Sequence, residues 1–118
     1  MKITDVRVTA FEYGDPVPGH WNGIIGYPPK ASRPRFSRVE VYTDSDIVGM
    51  TLGGSRELVH GPLKEVIIGT DPMRTDQIWH LMYQGNWRKP VAKGEHIRAM
   101  SYIDNALWDL KGKVLGEP

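Results

Sequence analysis

The segment from about residue 95 to residue 114 constrains the fold of this chain more than any other feature. Its apolar residues recur at steps of 3, 3, 4, 3 and 4, at Ile97, Met100, Ile103, Leu107, Leu110 and Val114. That spacing is the period of one buried face of an α-helix. Gly116 and Pro118 follow it and predict the end of the helix. We therefore expect one long amphipathic helix that packs on the rest of the domain.

The first half of the chain has the period of β-strands instead. β-Branched residues alternate with polar ones in residues 2–13 and 36–43, and a further apolar run covers 47–52. The acidic turn at residues 44–46 joins the last two runs and predicts a hairpin.

Two shorter helical segments are predicted between the strands and the long helix. The first, from about 56 to 68, contains Pro62, which must lie near a helix start or split the segment. The second begins at Asp71-Pro72, an N-cap acceptor followed by a proline at the first helical position. The fold class is therefore α+β, with a three-stranded antiparallel meander followed by a three- to four-helix bundle.

Residues 14–34 disfavour regular secondary structure, because they contain four glycines and five prolines. They also carry aromatic side chains, among them His20, Trp21 and Tyr27, which a disordered linker rarely does. A connection of this length is usually functional or disordered. Two interpretations stay open, a loop that closes over something and a loop that packs on its own domain.

Composition and charge exclude several classes of protein. The balance of 15 basic and 14 acidic residues argues against a surface for nucleic acid or anionic membranes. The absence of cysteine excludes disulfides, thiolate metal sites and cysteine nucleophiles. No apolar run approaches the roughly 20 residues of a membrane span, and the N-terminus does not resemble a signal peptide. We expect a cytoplasmic protein without nucleic-acid or membrane partners.

The sequence offers no catalytic constellation. The four histidines lack the spacing of a zinc-binding helix and are interpreted as structural or surface residues; they are His20, His60, His80 and His96. Asp44 and Asp46 are interpreted as part of the hairpin turn, and Trp108 as a core residue.

A cluster of four cations precedes and enters the second predicted strand, at Lys30, Arg33, Arg35 and Arg38. It is interpreted either as a solvated strand edge or as a local anion site for a carboxylate.

The tail of the chain adds a resemblance. Residues 99–118, AMSYIDNALWDLKGKVLGEP, closely resemble the end of the N-terminal domain in the mandelate racemase/muconate lactonizing enzyme family of the enolase superfamily. Gly-Thr-Asp-Pro at 69–72, the opening residues 1–6 and the hairpin with Gly49 resemble that family too, in the same order. The resemblance implies that residues 1–118 form an enolase-like N-terminal capping domain, cut off before a catalytic barrel.

The resemblance also implies a function. Full-length members add a (β/α)-barrel whose acidic residues bind Mg²⁺ and whose bases abstract a proton next to a carboxylate. No metal ligand, catalytic residue or cofactor is expected in this chain, and the chain alone is expected to be inactive. The parent would be a lyase or racemase acting on a small carboxylic acid such as a sugar acid. Dehydration, racemisation and cycloisomerisation stay open.

By the same resemblance, two capping-domain loops close over the barrel mouth, and they correspond to residues 14–34 and about 53–57. The candidate substrate-binding residues are His20, Trp21 and Tyr27 in the first loop and Arg56 in the second. The alternative for each is local packing. For the chain as a whole, the alternative is a stand-alone binding or assembly module that uses residues 14–34. A surface left without its barrel is expected to favour self-association, so a homo-oligomer is predicted.

Overall fold

Three antiparallel strands form one sheet in the order in which they occur along the chain. The computed structural model describes residues 1–15, 35–54, 56–84 and 94–118. The strands are β1 (Ile3–Glu12), β2 (Arg35–Thr43) and β3 (Val48–Leu52). Val8 pairs with Val39, and Val41 pairs with Gly49. The predicted meander is confirmed, with strand ends within a residue or so of those expected.

Alternation along the strands gives the sheet one buried face and one open face. Val6, Val8, Val39 and Val41 are buried against the helices. The intervening residues lie on the open face, where Arg7 is paired with Glu40 across the two strands. This is the pattern expected of an antiparallel sheet that has helices on one side only.

The helical part begins as the short α1 (Arg56–Leu58), followed by a kinked segment (Val59–Leu63) and α2 (Lys64–Ile67). The kink lies at Gly61, whose ψ of −107° is not helical, and Pro62 follows. Proline lacks the amide that a continuous helix needs. Of the two alternatives expected for Pro62, a position near a helix start or a split of the segment, the structure shows the split.

Helix α3 (Thr75–Gln84) begins later than the Asp71-Pro72 start predicted from the sequence. The Asp71 carboxylate does accept a hydrogen bond from the Met73 amide, at 3.0 Å. However, the Arg74 amide donates to the Asp71 carbonyl oxygen at 3.1 Å, which closes a turn before the regular helix. The predicted N-cap at Asp71 and first helical position at Pro72 are therefore wrong, because Asp71 organises a turn that precedes the helix.

Helix α4 (Glu95–Leu115) has the predicted extent, to within a residue at its C-terminus. Its buried face includes Met100, Ile103, Leu107 and Leu110, as the periodicity predicts. Gly116 ends the helix in the left-handed region at φ 68°, and the Glu117 amide donates to the Gly112 carbonyl oxygen at 2.9 Å. These bonds satisfy carbonyl groups that the helix end leaves free.

Trp108 corrects an interpretation made from the sequence. Its side chain is 56% exposed and lies on the outer face of α4, not in the core. The reason is geometric, because its neighbours Leu107 and Leu110 already fill the face that points to the sheet. A tryptophan next to core residues in sequence is turned about 100° from them on a helix.

Side chains from the helical part cover both edges of the sheet. At the β3 edge, Asp109 accepts a hydrogen bond from the Met50 amide at 2.9 Å, and Lys113 donates to the Val48 carbonyl oxygen at 2.9 Å. At the β1 edge, the Val8 amide donates to His60 Nε2 at 3.0 Å. Such contacts occupy the backbone groups that would otherwise pair with another strand. In the described parts of the chain, no helix is long and apolar enough to cross a membrane.

Candidate functional site

The end of the sheet where β1 finishes and β2 starts is the candidate site, and we call it the loop pole. Antiparallel pairing places Phe11 opposite Phe36 and Glu12 opposite Arg35. The connection from β1 to β2 therefore leaves and returns at this one end. Gly53 and Gly54, which follow β3, reach the same end, because the Gly53 amide donates to the Ser37 carbonyl oxygen at 2.7 Å. Both candidate loops predicted from the sequence thus start from one place.

An ion pair and an aromatic cluster hold the base of the first connection together. Arg35 Nε lies 2.9 Å from Glu12 Oε1. The rings of Phe11 and Phe36 stack with centroids 4.9 Å apart, and Tyr13 meets Phe36 edge-on at 5.8 Å. Aromatic pairs add about 0.5–1.5 kcal/mol beyond their burial. The strands on both sides of the connection are therefore fixed relative to each other.

The second connection lies tightly against the domain because it contains two glycines. Gly53 and Gly54 have φ values of 114° and 108°, which side-chain-bearing residues rarely adopt. A Cβ on Gly53 would lie 2.3 Å from the Tyr102 ring, and one on Gly54 would lie 2.4 Å from Val39. Ser37 Oγ donates to the Gly54 carbonyl oxygen at 3.0 Å. The backbone that leads into Arg56 is thus held against both sheet and helix.

Two shallow depressions flank this backbone. One, of about 320 Å³, is lined by Val8, Ala10, Phe36, Arg35 and Arg56 beside Ser37 and Gly54. The other, of about 240 Å³, lies between Gly53, Glu95, Arg98 and Tyr102.

The first depression has an apolar floor and cationic walls. Its Arg35 is already engaged by Glu12, whereas the exposed Arg56 forms no ion pair with any described residue. A guanidinium in that position is suited to a carboxylate, which it can bind through two parallel hydrogen bonds.

His60 links this depression to the helical part. Val8 lines the depression, and its amide donates to His60 Nε2, so this nitrogen must be unprotonated. Burial lowers the pKa of His60, and the charges of Lys64 and Arg56 lower it further. His60 therefore acts as a neutral acceptor at neutral pH, in agreement with its interpretation as a structural residue.

The structure locates only part of the predicted site. His20, Trp21 and Tyr27 lie outside the described residues, as do Lys30 and Arg33. Arg56 lies at the loop pole.

Within the predicted cation cluster, Arg38 is engaged by Glu40 on the open face of the sheet, at 2.8 Å. With Arg35 bound to Glu12, both described arginines of that cluster have acidic partners, which favours the solvated-edge interpretation over an anion site.

Sequence reasoning missed the residues that hold the second connection. Ser37 and Tyr102 come from distant parts of the chain, and nothing in their local patterns indicates that they meet. The adjacent glycines 53 and 54 were the available signal, because glycine pairs after a strand often mark a close backbone approach.

The described residues do not fit a magnesium site. Among them, no three His, Asp or Glu side chains lie close enough together to hold a metal ion. Asp44 of the D-x-D pair instead accepts a hydrogen bond from the Lys2 amide at 2.9 Å.

Three antiparallel strands followed by helices, with the sheet packed on the long C-terminal helix, match the architecture of the enolase N-terminal domain. Comparison with known proteins gives the family. The chain belongs to the mandelate racemase/muconate lactonizing enzyme family, whose N-terminal domain profile matches residues 30–118.

Individual relatives agree with this assignment. The chain is 34% identical over 93 residues to a D-galactonate dehydratase of Cronobacter sakazakii, covering 72% of this chain and 23% of that protein.

Two solved structures have the same fold. One, from Bordetella bronchiseptica RB50, is provisionally named a mandelate racemase and is complexed with 2-oxoglutarate/phosphate. It superposes with a TM-score of 0.77 at 28% identity, covering 97% of this chain and 30% of its own. The other is the D-glucarate dehydratase of Agrobacterium tumefaciens, complexed with magnesium. It superposes with a TM-score of 0.73 at 26% identity, covering 98% of this chain and 30% of its own.

This chain therefore spans about a quarter of the curated relative and less than a third of the two solved chains. Those relatives carry names of dehydratases and a racemase, so the superfamily to which this domain belongs is one of lyases and isomerases.

Proposed function

We propose that these 118 residues are the capping domain of a magnesium-dependent dehydratase that acts on a sugar acid. The observation that carries the proposal is the convergence of the two connections at the loop pole, with the exposed Arg56 beside an apolar depression. The names of the relatives support the reaction class, since they include D-galactonate and D-glucarate dehydratases. In this proposal the catalytic barrel is a separate domain outside residues 1–118.

The separate roles of the cap and of the barrel follow from the chemistry of the reaction. Magnesium, when bound, stabilises the negative charge that develops when a proton is removed next to a carboxylate. In this proposal the metal and the bases belong to the barrel, as the family resemblance implies, and a magnesium-complexed relative supports the use of that metal. The cap would exclude water and contact the end of the substrate remote from the metal. On its own, the 118-residue chain would then bring about no turnover.

Arg56 would hold an anionic or polar group of the substrate. Its side chain is exposed and lines the depression beside Gly54, whose carbonyl oxygen accepts a hydrogen bond from Ser37 Oγ. His20, Trp21 and Tyr27 would complete the pocket from the first connection. We also propose, as expected from the sequence, a cytoplasmic homo-oligomer.

A chimera tests the capping function. This chain replaces the matched part of the Cronobacter sakazakii D-galactonate dehydratase, and dehydration of D-galactonate is measured with added Mg²⁺. The proposal predicts turnover by the chimera and none by either part alone. A folded chimera that binds Mg²⁺ but dehydrates neither D-galactonate nor other sugar acids would contradict it.

Substitution of Arg56 then tests the loop pole. In the active chimera, Arg56→Ala should raise KM by about 10- to 150-fold, since a hydrogen bond to a charged group is worth about 1.5–3 kcal/mol. Arg7→Ala is the matched control, because Arg7 is also exposed but lies on the open face of the sheet, bound to Asp5. Equal KM values for the two variants would exclude a substrate contact by Arg56.

A further inference from the structure

The apolar-floored depression at the loop pole is lined by cations and by no acidic side chain. Its charged residues are Arg35 and Arg56. Arg35 is bound by Glu12 at 2.9 Å. All 14 acidic residues of the chain lie in the parts that the structure describes, and Arg56 forms an ion pair with none of them. The exposed Arg56 guanidinium therefore has no acidic partner within the described domain.

The rest of the lining offers few hydrogen-bonding groups. The side chains of Val8, Ala10 and Phe36 are hydrocarbon. The Ser37 hydroxyl proton is already used, because Ser37 Oγ donates to the Gly54 carbonyl oxygen at 3.0 Å. A terminal hydroxymethyl group of a sugar acid both donates and accepts hydrogen bonds, and hydrocarbon side chains replace neither when water is excluded. A neutral polyol end is therefore poorly matched to this depression.

A carboxylate matches the same surroundings well. An ionised carboxylate only accepts hydrogen bonds, and a guanidinium presents two N–H donors in the geometry of its two oxygens. Because apolar neighbours keep the local dielectric low, the attraction between the two charges is stronger there than in water. Arg56 beside this floor is thus suited to a carboxylate more than to a hydroxyl group.

The neighbouring His60 indicates the sign of the local potential. The imidazole is bonded to the depression, because the Val8 amide donates to His60 Nε2 at 3.0 Å. Burial is the main cause of its lowered pKa, and the charges of Lys64 and Arg56 lower the pKa further, with Asp5 acting in the opposite direction. A positive potential of this kind attracts anions.

We propose that the substrate is a sugar diacid, and that Arg56 binds its second carboxylate, at the end remote from the metal. The two classes of sugar acid differ at this end. An aldonic acid such as D-galactonate ends in a hydroxymethyl group, whereas an aldaric acid such as D-glucarate ends in a carboxylate. The inference rests on the proposed function and names the substrate class of the same site.

Selectivity between the two classes, measured in the chimera, tests the inference. D-galactarate has a carboxylate where D-galactonate has its hydroxymethyl group, so kcat/KM is measured for both acids with added Mg²⁺. Arg56→Ala should lower the ratio of the diacid value to the monoacid value by about tenfold or more, since a charge-assisted bidentate contact is stronger than one to a neutral hydroxyl. Because both acids are measured on one preparation, the ratio does not depend on the folded fraction.

The matched control is Arg7→Ala, which should leave the ratio unchanged, because Arg7 is bound to Asp5 on the open face of the sheet. An Arg56→Ala chimera with the wild-type ratio would overturn the inference.

Two further variants separate charge from hydrogen bonding at position 56. Arg56→Gln keeps N–H donors without the charge and should lose the preference for the diacid, whereas Arg56→Lys keeps the charge and should retain part of it. A wild-type ratio in the Arg56→Gln chimera would show that Arg56 binds a neutral group, which overturns the inference.

The two proposals fail in different ways. A chimera that dehydrates D-galactonate with a ratio insensitive to Arg56 keeps the capping function and removes only the diacid. Isothermal titration calorimetry with Mg²⁺ gives the opposite case. A chimera that binds D-galactarate about tenfold more tightly than its Arg56→Ala variant, but dehydrates neither acid, keeps the diacid site and removes only the proposed reaction.

Discussion

His60 connects the kinked helical segment to β1 through one hydrogen bond, from the Val8 amide. The groups that face the imidazole are Lys64 and Arg56, whose charges disfavour a proton, and Asp5, whose charge favours one. The net result is a lowered pKa for His60. At the residue scale, the loop pole thus depends on a histidine that stays neutral.

This arrangement makes stability depend on pH. The unfolded chain, with a histidine pKa near 6.5, takes up the proton more readily than the folded chain, so the free energy of unfolding should fall as pH drops below about 6.5. His60→Gln keeps an acceptor for Val8 without titrating and should flatten this part of the profile. His60→Ala should cost about 1 kcal/mol at pH 7.5, because the amide loses its partner.

Urea titrations of the three proteins between pH 5 and 8 measure this effect. The other histidines contribute equally to each protein, so they cancel in the differences. Although burial alone would raise it, hydrogen bonds from Lys64 and Arg7 lower the pKa of Asp5 to about 2, so Asp5 titrates in a more acidic range. Parallel profiles for wild type and His60→Gln would contradict the assignment.

Single residues also show where sequence reasoning ends. The periodicity of α4 predicts its buried face. Trp108 was interpreted as a core residue because it lies close to Leu107 and Leu110 in sequence, but those two residues occupy the buried face and Trp108 lies outside it. Asp109 and Lys113, four residues apart on α4, form an ion pair at 2.7 Å, a contact that their spacing allows. Their contacts with the backbone of β3 were not predictable, because they join residues more than 50 positions apart.

At the scale of elements, the contact between β3 and α4 is set by one glycine. A Cβ on Gly49 would lie 2.1 Å from the Ala106 carbonyl oxygen and 2.6 Å from the Leu110 Cβ. The strand and the helix therefore approach backbone to backbone at this point, and no rotamer change can make room for a methyl group.

Gly49→Ala should accordingly lower the free energy of unfolding by about 3 kcal/mol, at the upper end of the usual cost of overpacking. Met50→Ala is the matched control in the same strand; its side chain is 39% exposed, so the change should stay within about 1 kcal/mol. Urea unfolding at pH 7.5 measures both. A Gly49→Ala protein as stable as the control would show that the two elements can separate at little cost.

The elements themselves were predictable where the pattern was strong and local. The three strands and the long α4 followed from alternation and from the 3-and-4 spacing. The predicted start of α3 was wrong because an aspartate that accepts a backbone hydrogen bond is typical of turns as well as of helix starts. The hydrogen bond from the Arg74 amide to the Asp71 carbonyl oxygen shows that these residues form a turn. The loop pole depends on long-range pairing, and the sequence indicated it only through the family resemblance.

At the scale of the whole molecule, the loop pole carries Arg56 at one end of the sheet, beside a shallow apolar depression. Under the proposed function, this end of the domain would face the substrate. Self-association of the free chain stays a prediction from the sequence.

The most direct test is a crystal structure of the chimera with the remainder of the Cronobacter sakazakii D-galactonate dehydratase, with Mg²⁺ and D-galactonate bound. We expect the loop pole to face the sugar acid, with the Arg56 guanidinium about 3 Å from one of its oxygens. A structure in which the loop pole points to solvent and Arg56 touches no substrate atom would contradict it.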